Sequence, residues 1–150
     1  MDNTRSVQMS DDERSEFLGT GGTGVVSFAR SETEPPYSLP VSYGYDDDSG
    51  GFYLRLAFDT ESEKETVVTE NRPLSLVAHR REDAGWRSVV VTGRLEEVTE
   101  AAIDSDVVQA MRRVHIPLVD VFERHPRELT FRFFRLEAEE LSGRKEAKSV

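Results

Sequence analysis

Lys64 stands apart from the rest of the chain. The sequence carries 19 Lys and Arg against 29 Asp and Glu, a formal charge of -10. Only three of the basic residues are lysines, and the other two, Lys145 and Lys148, lie at the far end. Lys64 follows Ser62 by two positions, and Arg55 lies nine residues upstream on an apolar run. Thr60-Glu61-Ser62-Glu63 has the form of a capping box, which puts Lys64 at a helix start. Unpaired N–H groups and the helix dipole favour an anion there. Ser62 adds a hydroxyl donor. Lys64 and Arg55 add charge-assisted bonds worth about 1.5–3 kcal/mol each where desolvated. The set suits a phosphate. A surface ion pair between Lys64 and Glu61, worth ~0.5 kcal/mol, accounts for the lysine as well, and the spacing leaves both readings standing.

The stretch from Tyr37 to Tyr45 offers a second feature. Tyr37, Leu39, Val41, Tyr43 and Tyr45 alternate with Ser38, Pro40, Ser42 and Gly44, the period of a strand with one apolar face. The opposite face holds only small residues, so a flat ligand could lie against the backbone; close packing by a helix is the alternative. Other constellations are weak. His79, His115 and His125 are scattered without metal-ligand spacing, and no metal site is expected. No Gly-x-Ser-x-Gly elbow is present. The glycine-rich run at 19–24 lacks the Lys-Ser/Thr of a P-loop and reads as a turn. Trp86 reads as a core or interface anchor.

The elements that must position these residues follow from the pattern. Residues 1–9 read as a flexible tail. Ser10-Asp11-Asp12-Glu13 is a capping box opening a helix over about 11–18, stopped by Gly19. Gly21-Gly22 breaks the chain before a strand over 23–30. Strands over 37–45 and 52–58 flank the turn Asp46–Gly51 as an antiparallel hairpin. A helix over about 61–70 buries Val67 and Val68. Strands follow at 74–80 and 86–98, with Gly93 a bulge or bend. A helix over 100–115 carries the apolar stripe Ile103, Val107, Ala110, Met111 and Val114. A last strand spans 129–141, and 145–150 fray. One domain over 10–144 is expected, mainly β (α+β): a six-stranded antiparallel barrel with peripheral helices.

Composition narrows the function classes. An excess of acid with scarce lysine suits a protein working in concentrated salt, where short Debye lengths screen self-repulsion. Nucleic acid is a poor partner for such a surface, and so is an anionic membrane. No apolar run approaches the ~18 residues of a membrane span, and no signal core is visible, so a cytoplasmic location is expected. Cysteine is absent, which excludes disulfides and thiolate chemistry.

Taken together, GVVSFAR after the opening helix, YSLPVSYGYD, FYLRLAF, Ser62-Glu63-Lys64, Asn71-Arg72-Pro73 and WRSVVVTGRLEEV resemble the pyridoxamine 5'-phosphate oxidase-like family of split β-barrel flavoproteins, in particular its small acidic haloarchaeal members. The resemblance covers about residues 10–144. It implies a homodimer with FMN in the groove between subunits and a flavin-dependent oxidoreductase acting on a small-molecule redox substrate or electron donor. A non-catalytic flavin carrier and a relative using deazaflavin F420 are the alternatives. By the resemblance, Ser62 and Lys64 hold the FMN phosphate and Arg55 reaches it. Pro40, Val41, Ser42 and Tyr43 flank the isoalloxazine ring, and Ser88 stands where the family often has a Gln facing the flavin. Glu63 replaces the family's Arg. The C-terminus LSGRKEAKSV lacks the Arg/His-rich segment that grips pyridoxal phosphate, so oxidation of pyridoxamine phosphate itself is not expected. No catalytic acid or base is assigned.

Overall fold

The computed structural model describes residues 4–58, 63–99, 105–116 and 130–148. These form β1 (Thr4–Gln8), α1 (Asp11–Leu18), β2 (Gly21–Phe28), β3 (Tyr37–Asp46), β4 (Gly51–Phe58), α2 (Glu63–Thr69), β5 (Leu74–Glu82), β6 (Gly85–Glu97), α3 (Ser105–Arg113) and β7 (Thr130–Lys148). Each strand pairing is antiparallel. The order β7-β4-β3-β2-β5-β6 returns to β7. Six strands therefore close on themselves, the mainly β barrel that the alternating runs predict, and closure leaves few unpaired strand edges.

Period-two patterning fills the barrel. Val26, Phe28, Val41, Tyr43, Leu54, Leu56, Leu76, Val89, Val91 and Phe134 are all buried and belong to one core cluster. The helices pack outside it. The capping box starts α1 as expected: Ser10 Oγ accepts from the Glu13 N–H at 3.2 Å, and Glu13 Oε1 accepts from the Ser10 N–H at 3.1 Å. Phe17 and Leu18 bury into the core. No basic residue stands in the last turn of α1, but Arg80 of β5 donates to the Phe17 carbonyl at 2.5 Å and lies 4.0 Å over its ring. A cation from another element thus complements the negative helix end. At α2, Val67 and Val68 are the buried contacts, as the sequence predicts.

The chain ends differ from the sequence reading. Residues 4–8, expected to be loose, form β1 and pair with β7 from Thr4↔Lys148 to Gln8↔Arg144. Residues 145–148, expected to fray, are the other half of that ladder. Neither end has an apolar run; each satisfies the other's backbone groups instead. Strand β7 is accordingly 19 residues long and passes from β4 to β6 to β1. Gly93 sits at the expected bulge, between the pairs Thr92↔Glu140 and Gly93↔Ala138. A Cβ there would lie 2.0 Å from the Glu137 carbonyl oxygen. Gly21-Gly22 opens β2 rather than breaking the chain. A Cβ on Gly21 would meet the His115 carbonyl oxygen at 1.9 Å, so glycine lets the segment after α3 lie against the barrel wall.

Candidate functional site

Strands β3 and β4 pair only from Asp46↔Gly51 to Ser42↔Arg55, although β3 begins at Tyr37 and β4 runs on to Phe58. Past Ser42 and Arg55 the two strands separate. The β4-facing backbone of Tyr37–Val41 therefore takes no part in the β3–β4 ladder, while β4 continues to pair with β7 as far as Phe58↔Thr130. This split in the wall is where the candidate cations gather.

Helix α2 spans the split with three consecutive side chains. Glu63 accepts from Arg30 Nη2 at 2.5 Å, at the exit of β2. Lys64 Nζ donates to the Ala57 carbonyl at 2.6 Å and lies 5.3 Å from the Phe58 ring centre. Glu65 accepts from Arg132 Nη1 at 3.1 Å, on β7. Arg132 also holds Glu97 with two bonds of 2.5 and 2.8 Å, and that guanidinium lowers the Glu97 pKa. The acids on either side of Lys64 are thus turned away from it and neutralised by arginines. Arg30 in turn stacks 5.0 Å over the Tyr37 ring.

Arg55 is half-buried on β4, two residues before the Ala57 whose carbonyl seats Lys64. Its guanidinium lies 5.8 Å from the Phe131 ring centre, and Nη2 donates to the Ile116 carbonyl at 3.4 Å. The segment after α3 is fixed there by a pair that the sequence reading missed. Arg113 binds Asp46 with bonds of 2.7 and 2.8 Å and reaches Asp48 at 3.3 Å. The His115 N–H donates to Thr20 O at 2.9 Å. Asp46 is 2 % exposed, and its bonds to Arg113 hold its pKa down to about 2 despite burial. Asp46 opens an acidic turn; the signal that it does more is the arginine pair Arg112-Arg113 at the end of an amphipathic helix, one of which needs a carboxylate.

The small-residue face of β3 divides in two. Gly44 is covered, because a Cβ on it would lie 2.8 Å from Val114 and 2.9 Å from Ile116; close packing is its role. Pro40 is exposed and Ser42 half-buried. In register, Thr23, Ser42 and Arg55 form one row across β2, β3 and β4, and Val25 with Pro40 forms the next. Val41 and Tyr43 point their side chains into the core, so only their backbone could face a ligand. Ser38 is tied to Ser27, Oγ to Oγ at 2.7 Å.

Two expected residues fall elsewhere. Ser62 lies outside the described residues, as do Thr60 and Glu61 of the second capping box; only its last member, Glu63, is described. Helix α2 is described from Glu63 and spans seven residues, which leaves Lys64 and Arg55 as the described candidates for holding an anion. Ser88 lies on β6, paired with His79 of β5 and Arg144 of β7. It lines a cavity with His79, Trp86 and Arg144. Trp86 is 47 % exposed in that cavity rather than a core anchor.

The described residues assemble no group of three or more His, Asp or Glu fit to hold a metal ion. No described helix is long and apolar enough to cross a membrane.

Comparison with known proteins agrees with this fold. Residues 10–145 match the family model described as pyridoxamine 5'-phosphate oxidase. The chain belongs to that family. Among solved structures, the pyridoxamine 5'-phosphate oxidase-like barrel described here is similar to an FAD-binding protein from Mesorhizobium loti, at 24 % identity over 97 % of this chain and 99 % of that one, with a TM-score of 0.68. It is also similar to the FAD binding protein from Mycobacterium smegmatis, at 14 % identity over 94 % of this chain and 99 % of that one, with a TM-score of 0.66. At these identities the likeness is one of fold. No curated protein matches the chain.

Proposed function

We propose that the chain binds a flavin at the split between β3 and β4 and works as a flavin-dependent oxidoreductase on a small-molecule substrate. One observation carries the reading: Lys64 of α2 is seated on the Ala57 carbonyl of β4, two residues along the strand from Arg55, with Glu63 bound instead to Arg30. The residues fit the group. Two cations suit its phosphate, and the row Thr23–Ser42 with Val25–Pro40 beside it gives a flat, side-chain-poor surface for a ring. The backbone of Pro40–Val41, outside the β3–β4 ladder, offers hydrogen bonds to the ring's polar edge. When bound, a flavin supplies the hydride or electron transfer; the chain's part is to hold the phosphate and orient the ring.

The name FAD-binding attaches to two structural relatives, and the family resemblance favours FMN. The outer row of exposed Pro40 and Val25 and half-buried Val77 and Val90 supports a homodimer that would cover the ring. The acidic composition supports a protein of concentrated salt.

The test is an absorption scan of protein purified in high salt, with mass spectrometry of any released ligand to separate FMN, FAD and F420. A flavin spectrum lost in the Arg55→Ala, Lys64→Ala double variant is the expected result, with the wild type sedimenting at the mass of two chains. A colourless protein that takes up no added flavin overturns the reading.

A further inference from the structure

Helix α2 opens on two acids, Glu63 and Glu65, one on each side of Lys64. An unanswered carboxylate at either place would repel an anion brought to that lysine. Glu65 is bound by Arg132, which also holds Glu97. Glu63 is bound by Arg30, and the surroundings of Arg30 show a residue built in for the purpose. Ala29, the residue before it, has both backbone groups engaged: its N–H donates to the Pro73 carbonyl at 2.8 Å, and its carbonyl accepts from Arg72 Nη1 at 3.1 Å. From this fixed point the Arg30 side chain passes 5.0 Å over the Tyr37 ring. It is 16 % exposed, although Glu63, its partner at 2.5 Å, is 68 % exposed. Nη1 faces a second carboxylate, Glu34, at 3.7 Å, and Ser31 Oγ donates to that Glu34 at 3.0 Å. Tyr37 pairs with Phe28 of β2 and is the first residue of the β3 stretch that takes no part in the β3–β4 ladder. Burial raises the Tyr37 pKa, the Glu63 charge adds to the rise and Arg30 opposes it, so both charges stand beside the same ring. One guanidinium thus joins the exit of β2, the start of β3 and the first turn of α2.

We infer that Arg30 is a positioning residue of the anion site and acts through Glu63. It holds the Glu63 carboxylate on the β2 side of the split and cancels its charge, so that a phosphate can sit at Lys64. The inference rests on the flavin reading and concerns only the phosphate end of the ligand. Arg30 itself need not touch that phosphate. At ~6 Å in water a lone carboxylate repels a phosphate dianion by about the energy of a tenfold change in affinity. A merely structural Arg30 would act differently. Through its stack on Tyr37 it would support β3, and its loss would then weaken binding of the ring as much as of the phosphate.

FMN and riboflavin carry the same ring with and without a phosphate, and together they separate the two roles. Each is titrated, by quenching of flavin fluorescence, against the wild type, Arg30→Ala, Glu63→Gln and the double variant. Arg30→Ala is expected to weaken FMN binding ~10-fold and to leave riboflavin binding unchanged. Adding Glu63→Gln to it should return most of the FMN affinity, because the unanswered carboxylate is gone. Glu63→Gln alone removes a negative charge beside Lys64 and should tighten FMN binding, again without effect on riboflavin. Should Arg30→Ala not fold, this exposed single variant decides the matter. A parallel loss of FMN and riboflavin in Arg30→Ala, no recovery in the double variant, or weaker FMN binding in Glu63→Gln overturns the inference and leaves the flavin reading standing. A wild type that binds neither flavin overturns both.

Discussion

Asp46 ties the β3–β4 hairpin to the end of α3, and Arg113, 40 % exposed at its side chain, is its partner. The bonds to Arg113 and to Ser49 lower the Asp46 pKa to about 2, against an ordinary unfolded value of ~3.9. A depressed carboxylate stabilises the fold above its unfolded pKa and loses that contribution as pH falls through its folded one. Asp46→Asn should therefore cost ~2 kcal/mol at neutral pH, the scale of hydrogen bonds to a charged group. Urea unfolding across pH should show the difference shrinking below pH ~4 and vanishing near pH ~2. A deficit that persists at the acid end would mean the cost is packing and not charge. Little of this was legible in the sequence, where Asp46 is one of three consecutive aspartates in a turn and its partner lies 67 residues away. Lys64 is the contrasting case. Its scarcity and position singled it out, but neither the Ala57 carbonyl that seats it, seven residues back on the strand, nor the Arg30 that neutralises Glu63 from 33 residues away is recorded in helical or strand spacing.

Helix α2 shows the same division between local and distant information. Val67 and Val68 could be read as its buried contacts from apolar spacing, just as the Ser10 box and Gly19 mark the ends of α1. The alternating faces of β3 and β4 and the turn between them gave the hairpin. What spacing cannot give is the point where two paired strands part, because Ser42 and Arg55 are neighbours only through the register. Strand β1 was missed for a related reason: TRSVQ holds one apolar residue, and its partner strand lies at the other end of the chain. Arg132 clamps α2 from that distant strand. It binds Glu65 and Glu97 together, lies 5.1 Å from the Phe58 ring centre and 5.8 Å from that of Phe134. Arg132→Ala should release α2 locally, speeding amide exchange across Val67–Thr69 while the β2–β3 ladder stays protected. Flavin affinity should fall with it, since Lys64 would lose its fixed seat. Uniform deprotection of the whole barrel would show instead that Arg132 supports the fold globally.

Over the whole molecule the acidic surface works against the fold unless salt screens it. The pair Glu96 and Glu137 shows this at one place. The two carboxylates lie close on adjacent strands, and Glu137, which favours a proton shared with Glu96 and repels its charge, raises the Glu96 pKa, Arg135 opposing in part. The sign is the reverse of the Asp46 case. A carboxylate whose folded pKa is raised binds its proton more tightly in the fold, so stability falls as pH rises from the unfolded value through the folded one, and the penalty is complete at neutral pH. Screening weakens such repulsion between exposed groups, with a Debye length of ~3 Å at about 1 M salt. Thermal melts of the wild type should therefore rise as potassium chloride is added at neutral pH. Glu137→Gln should melt higher than the wild type in dilute buffer, and the gap should close in concentrated salt as well as below pH ~4, where both carboxylates are protonated. A wild-type midpoint indifferent to salt would remove the high-salt reading of the composition. A Glu137→Gln gain that salt leaves untouched would assign the effect to local packing on β7, because like-charge repulsion at an exposed pair has no way to survive screening.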